Sequence, residues 1–211
     1  MGIVICQISI SLDGFVAGPN QSLGDPLGEG GERLHDWVVS TAAWRRQQGE
    51  EGGTEGIDSE VAAEVVQNIG AYVMGRKMFG GGPGPWDPEW KGWWGEDPPY
   101  HTPVFVLTHH PRPPLKMLGG TTFHFVTDGA ASALDRARAA AGDRDVSIAG
   151  GASTVRQYLA DGSLDELYLH IAPVILGAGE RLLDGVGEPI LEQLKVVASP
   201  SVVHVKYRVK K

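Results

Sequence analysis

An α/β fold with a central mixed, mostly parallel sheet flanked by helices is the architecture this sequence predicts, and three observations lead to it. Short apolar runs alternate with helix-forming segments from residue 58 to residue 172, the order that puts helices on both faces of a parallel sheet. The later runs, Leu167–Ile171 and Val203–Val209, lack an intervening helix, which predicts an antiparallel C-terminal edge. Val146-Ser147-Ile148-Ala149 leads into Gly150-Gly151 and then a helix start, a strand, a sharp turn and a helix in close succession. No internal repeat and no linker divides the chain, so residues 1–211 are expected to form one domain.

Each element has its own justification. Gly2–Ser11 is rich in isoleucine and valine and reads as a strand covered on both faces. Leu12-Asp13-Gly14 ends it, and Phe15-Val16-Ala17 leads into a Gly-rich loop reaching Gly31, a length that marks either function or disorder. Leu34–Trp44 reads as one helix with Leu34, Trp37, Val38 and Thr41 on one face. Gly49–Gly56 reads as an acidic surface loop. Asp58 is expected to cap a helix that buries Val61, Val65, Val66 and Ile69 and closes at Gly70. Strands are expected at Ala71–Gly75, Pro103–Thr108 and Thr122–Val126, with Arg76–Phe79 beginning a helical turn. Asp128 is expected to cap an alanine-rich helix ending near Gly142. Val203, Val205, Tyr207 and Val209 alternate with His204, Lys206 and Arg208, so the C-terminal strand is expected to have one wet face.

Composition excludes several classes of function. Hydrophobic residues make up 42% and charged residues 21%, an ordinary globular balance. A net charge of −8 argues against non-specific nucleic-acid binding, so any anionic ligand must be held by local groups. Cys6 is the only cysteine, which excludes an internal disulfide and a cysteine-based metal site, and its apolar setting reads as core. His109 and His110 are adjacent and would point apart on an extended chain, so no metal site is expected. With no basic-then-apolar leader and no apolar run of about 18 residues, a cytoplasmic protein without a membrane partner is expected.

In an open α/β sheet, ligands gather beyond the carboxyl ends of the strands. Four predicted strand ends carry unusual residues: Leu12-Asp13-Gly14, Gly75-Arg76-Lys77, Thr108-His109-His110 and Gly150-Gly151. Two supply cations or imidazoles and two supply glycine-opened backbone. Arginine offers a planar fork to a phosphate monoester, and a helix N-terminus offers free amides to a pyrophosphate. The Gly-Gly pair by itself fits a phosphate cradle or a plain strand-to-helix turn. Asp13 fits a proton donor or an Asp-Gly turn residue. The tryptophans of 86–94 fit a pocket wall for a flat heterocycle or a contact with a partner subunit.

Tyr72-Val73-Met74-Gly75-Arg76-Lys77-Met78-Phe79, Val104-Phe105-Val106-Leu107-Thr108 and Val146-Ser147-Ile148-Ala149-Gly150-Gly151-Ala152 resemble successive motifs of dihydrofolate reductases. Ser9-Ile10-Ser11-Leu12-Asp13-Gly14 and Pro173-Val174-Ile175-Leu176-Gly177-Ala178-Gly179 are similar to the reductase domain of riboflavin biosynthesis. The chain therefore resembles the dihydrofolate-reductase-like superfamily, especially its small stand-alone bacterial members of the riboflavin-reductase type. The resemblance implies a dihydrofolate-reductase-like domain that uses NADPH and forms a homodimer. It implies that Ala17 flanks the nicotinamide and that Gly75, Arg76 and Lys77 hold phosphates, Arg76 taking the 2′-phosphate. Thr108 and His109 would stand by the adenosine, and Gly150, Gly151, Ala152, Ser153 and Thr154 would cradle the pyrophosphate.

The departures are as informative. The riboflavin-type glutamate before the Gly-Gly pair is replaced by Ala149, and the segment after the second strand reads Lys77-Met78-Phe79. The Leu-Pro-Trp loop of dihydrofolate reductases is missing. Asp36, beside Trp37, is the one carboxylate near the place of their pterin-binding acid, and both are candidate substrate residues. The expected activity is hydride transfer from NADPH to a small pterin- or pyrimidine-like heterocycle, with Asp13 or a water as proton source. The competing expectation is a nucleotide-binding protein without turnover.

Overall fold

A computed structural model describes residues 2–211. In chain order the elements are β1 (Val4–Ile10), β2 (Phe15–Ala17), α1 (Asp36–Val39), α2 (Ala42–Gln47), α3 (Ile57–Glu64), β3 (Ile69–Gly75) and α4 (Arg76–Phe79). There follow β4 (Pro103–Leu107), β5 (Leu115–Lys116), β6 (Thr122–Val126), α5 (Ala130–Ala141), β7 (Asp145–Gly150) and α6 (Ala152–Ala160). The chain closes with β8 (Glu166–Ile171), β9 (Glu180–Arg181), β10 (Ile190–Ala198) and β11 (Val203–Lys210).

Nine strands form one sheet in the order β10-β11-β8-β1-β7-β3-β4-β6-β5, and β2 pairs with β9 separately. The six strands from β8 to β6 run parallel, whereas β11 and β10 add antiparallel at one edge and β5 at the other. This mixed sheet with a parallel centre is the arrangement the sequence predicts. Side chains alternate across it as a strand requires. On β3, Ala71 and Val73 enter a core shared with Leu134 and Ala137 of α5 and Val155 and Tyr158 of α6. Tyr72 and Met74 point the other way, into an aromatic layer with Phe79 and Phe123, against which Trp86, Trp90 and Trp94 pack. A smaller cluster of Trp37, Ala43, Ala62 and Val202 joins α1–α3 to the C-terminal hairpin. Cys6 is fully buried and its thiol is pushed up to about 12 by that burial, so it is a core residue. Among the described residues, no helix is long and apolar enough to cross a membrane.

Several boundaries differ from the sequence reading. The helix expected over Leu34–Trp44 is three pieces, a 3-10 turn at Gly31–His35, then α1 and α2. Thr41 breaks it by taking extended geometry and capping α2, its side chain accepting from Trp44 N at 3.2 Å. Asp58 is not the cap of α3. Gly56 precedes that helix, which ends at Glu64, and Gly70 lies inside β3, so Ile69 is a strand residue. Asp128 likewise stands outside the cap position, which Gly129 holds, and binds Ser132 and Arg136 instead. The polar face of β11 is not uniformly wet, because His204 is completely buried. Strands β2, β5, β9 and β10 are additions to the sequence reading.

Gly70 shows how tightly α5 is laid on the sheet. A Cβ there would stand 2.7 Å from Ala141 Cα and 2.9 Å from its carbonyl oxygen. Gly70→Ala is therefore expected to destabilise the fold by about 1–3 kcal/mol, read from urea unfolding.

Candidate active site

Parallel pairing brings the carboxyl ends of β1, β7, β3 and β4 to one rim, with Met74 opposite Gly150 and Gly75 opposite Leu107. A cavity of about 1040 Å³ opens above that rim. Every residue expected to touch a nucleotide lines it: Ala17, Gly75, Arg76, Lys77, Thr108, His109, Gly150, Gly151, Ala152, Ser153 and Thr154.

The Gly-Gly turn forms the floor. Gly150 has φ +130°, a left-handed geometry that side chains resist, and a Cβ on it would meet Met78 Sδ at 3.3 Å. The peptide joining Gly150 to Gly151 is cis. A Cβ on Gly151 would meet nothing within 4 Å, so the space above it is open. Helix α6 starts at Ala152, and the amides of Ala152 and Ser153 have no earlier helical carbonyl to bind, whereas Thr154 N donates to Gly151 O at 3.0 Å. Gly75 is also obligatory, since a Cβ there would collide with Thr154 Oγ1. The bare end of β3 thus lets α6 approach the sheet, and the bare end of β7 leaves room for Met78 of α4.

Arg76 is held as a preset fork. Its guanidinium carbon lies 3.7 Å above the centroid of Trp86, whose Nε1 donates to His110 O at 2.7 Å. Arg76 Nε donates to Gly82 O at 3.1 Å and Nη1 reaches Thr108 Oγ1 at 3.4 Å. Nη2 is buried without a partner, an orphan donor that a bound anion would satisfy. Desolvation lowers the Arg76 pKa, the expected response of a cation without a counter-ion. Lys77 is exposed and engaged elsewhere, its Nζ 2.8 Å from Glu180 Oε1. Thr108 is buried and also accepts from His110 N at 3.1 Å, while His109 is exposed at the rim.

The remaining candidates divide. Trp37 lines the cavity, is 5% exposed, and donates from Nε1 to Ser9 Oγ at 3.0 Å. Asp36 is exposed and turns to a separate, smaller cavity with Arg33 and Ser40, away from the main one. Asp13 lies outside the cavity wall. Its carboxylate accepts from Ser11 Oγ at 2.6 Å, Gly177 N at 2.6 Å and Leu176 N at 3.1 Å, clamping the loop before β9 to the end of β1. These bonds, that of Ser11 first, pull its pKa down to about 2, which favours the turn role over proton donation at neutral pH.

Sequence reasoning missed a second constellation at the other end of the cavity. His170 of β8 and His35 line it, together with Gln7, Ser9 and Ser147. His170 Nδ1 lies 2.8 Å from Nδ1 of the fully buried His204, and His204 Nε2 lies 3.2 Å from Asp58 Oδ1. Trp37 packs on both imidazoles, with ring centroids 4.7 and 4.8 Å away. Burial holds His170 down to about 3, with His204 and His35 adding to the effect, and burial also lowers His204 despite its bond to Asp58. The available signal was a histidine in each of two strands otherwise alternating apolar and polar residues, but only the register sets His170 opposite His204.

The model of the RibD C-terminal domain matches residues 3–205. The chain belongs to the RibD C-terminal domain family. No curated protein matches the sequence. Among solved structures, this family member is similar to a putative riboflavin biosynthesis protein from Shewanella sp. PV-4, with 20% identity, a TM-score of 0.65, and 99% of each chain covered. It is also similar to a diaminohydroxyphosphoribosylaminopyrimidine deaminase/5-amino-6-(5-phosphoribosylamino)uracil reductase from Thermotoga maritima, with 15% identity and a TM-score of 0.56 over 99% of this chain and 57% of that one. The riboflavin biosynthesis reductase Rib7 of Saccharomyces cerevisiae shares 13% identity and a TM-score of 0.53, covering 100% of this chain and 89% of that one. Family membership supports an oxidoreductase, and these neighbours show the fold. In this RibD C-terminal domain, Ala149 sits in the cavity wall without a carboxylate.

The Asp13 clamp has a signed pH dependence. A carboxylate lowered from 3.8 to about 2 stabilises the fold above the upper value, and that contribution is lost as pH falls through the lower one. Asp13→Asn is expected to lower the melting temperature at neutral pH and to flatten its decline between those two values, as measured by thermal melts across pH.

Proposed function

We propose that this chain is an NADPH-dependent reductase of small heterocycles, related to riboflavin-type reductases. The observation carrying the reading is Arg76: a desolvated guanidinium, stacked on Trp86, with one buried donor unpartnered at the cavity rim. A fork so preset suits a phosphate monoester, and the 2′-phosphate of NADPH is the one that such a site would read. Gly150, Gly151 and the first amides of α6 would receive the pyrophosphate, with Ser153 and Thr154 beside them. Thr108 and His109 would border the adenosine, and Ala17 the nicotinamide. Lys77 would reach a phosphate only by leaving Glu180.

When bound, NADPH supplies a hydride to a C=N or C=O carbon and becomes NADP⁺, while the adjoining nitrogen or oxygen takes a proton. The chain's own part is to hold both rings in one geometry and to keep water out. Tyr72, Trp94 and Trp37 give that space apolar walls. A second copy of the chain is the partner we propose for the edge strand β10, where Ile190, Leu194 and Val196 remain exposed on a strand with free backbone groups.

Arg76→Ala is expected to weaken NADPH binding about ten- to a hundredfold while changing NADH binding little, measured by fluorescence titration. Equal losses for both nucleotides would remove the 2′-phosphate assignment, and no binding of either by the unaltered chain would remove the reductase reading. Val196→Lys is expected to shift the chain toward monomer in sedimentation.

A further inference from the structure

The two ends of the cavity differ in charge. Among the described residues lining it, the groups with full charge are Arg76, Lys77 and Glu180, all at the proposed nucleotide end, and Lys77 and Glu180 neutralise each other. The opposite end, walled by Trp37, Tyr72 and Trp94, has no guanidinium or ammonium to hold a substrate phosphate and no carboxylate to hold a protonated amidine-like ring. Its polar groups are neutral ones: Gln7, Ser147, His35 and His170. Ser147 Oγ and His35 Nδ1 are buried without partners.

The hydrogen-bond chain behind His170 fixes what its ring offers. Asp58 Oδ2 accepts from Ser199 Oγ at 2.9 Å and Ser201 Oγ at 3.0 Å, which holds the carboxylate in place. Its Oδ1 is an acceptor, so His204 Nε2 carries the hydrogen. The neutral His204 ring then has a lone pair at Nδ1, so the 2.8 Å contact requires His170 to carry its hydrogen on Nδ1. The lone pair of His170 is left on Nε2, which has no protein partner and is not sealed from the cavity. Burial lowers both imidazoles, which favours the neutral forms that this polarity requires. Gln7 adds a second acceptor, since its nitrogen is bound to Val65 O at 2.8 Å and its oxygen is unpaired.

We infer that the substrate end binds a neutral, unphosphorylated flat heterocycle that donates an N–H to Nε2 of His170. This rests on the reductase reading for the other end of the cavity and narrows the acceptor's chemistry. His170 is the specificity residue, while Asp58 and His204 position it by fixing its tautomer. The imidazole lone pair takes the recognition role that a carboxylate would otherwise have, and it selects a neutral N–H in place of a cationic ring. Aromatic walls on either side suit a flat ring.

Lumazine, a neutral pteridine-2,4-dione with ring N–H groups, and 1,3-dimethyllumazine, which lacks them, form a matched pair of ligands. Both are titrated calorimetrically into the full chain, with and without NADP⁺, next to a phosphorylated ribitylaminopyrimidine. Lumazine is expected to bind at least tenfold more tightly than either of the other two. His170→Phe, which keeps a ring of similar bulk, is expected to abolish the preference over the dimethyl compound. His170→Gln, which restores an acceptor, is expected to recover part of it, and NADP⁺ affinity is expected to be unchanged in both variants. Thermal melts establish that each variant folds; should the phenylalanine variant not fold, the matched pair on the unaltered chain and on His170→Gln decides the matter. Equal binding of the two lumazines, or tighter binding of the phosphorylated compound, overturns the inference while leaving NADP⁺ binding and the reductase reading intact. Failure to bind NADP⁺ defeats that reading separately, and the cofactor-free titrations still judge His170.

Discussion

Close approach of α6 to the end of β3, and of α4 to the end of β7, is the constraint from which the cavity follows. Gly75 leaves room for Thr154, and Gly150 leaves room for Met78 while taking a φ of +130°. With a side chain at Gly75, α6 would have to lift from the sheet and its first amides would lose their place above the rim, while one at Gly150 would press on Met78 of α4. The parallel order β1-β7-β3-β4 then brings the loops after β3 and β4 to the same level, so Arg76 and Thr108 meet at 3.4 Å although 32 residues separate them in sequence. Glycine is therefore needed here for space as much as for backbone freedom.

Built on that frame, the cavity separates two kinds of recognition. At one end a desolvated guanidinium lies against an indole with a donor unsatisfied, an arrangement that is unfavourable until an anion arrives. At the other end the polar groups are uncharged and linked inward, Asp58 to His204 to His170. Trp37 belongs to this second end in two ways. It wedges both imidazoles in place, and through Ser9 it ties α1 to β1 beside the strand that bears His170. The aromatic segment around Trp86–Trp94 takes part at both ends, since Trp86 supports Arg76 while Trp94 walls the neutral side. Its tryptophans are thus pocket and core residues here, with Phe79 and Phe123 as their underlayer.

How much of this was legible in the chain depends on whether a residue's role is local. The strand at Thr122–Val126 and the helix ending near Gly142 follow from short-range pattern, and they are found where the pattern put them. Arg76 and Gly150-Gly151 were legible because a strand end is a local signal. Asp13 is ambiguous in the sequence because an aspartate near a turn has several uses, and Asp58 misleads for the same reason. Asp58 looked like a helix cap and instead binds Ser199, Ser201 and His204, more than 140 residues later. The break at Thr41 escaped the helical pattern because it depends on a bridge to Thr54 across the intervening loop. The His170–His204 pair was hidden for the same reason: nothing in either strand states which residue of the other it will face.

The neutrality of the substrate end bears on how the two ends work together. A buried carboxylate there would draw in a cationic ring, and it would have to be desolvated each time the cavity closed. An imidazole kept neutral by burial and pinned by Asp58 through His204 presents a strong acceptor at lower desolvation cost. It also adds no negative field along the cavity, so the affinity of Arg76 for an anion is not opposed from the far end. With Ala149 in the wall in place of an acid, the unpaired charge of the cavity is that of Arg76, and the space we propose for the reaction, between Ala17, Tyr72 and Trp37, is left to shape and directed hydrogen bonds. For the hydride transfer we propose, that is a suitable division, because the barrier depends chiefly on how two flat rings are held together in the absence of water.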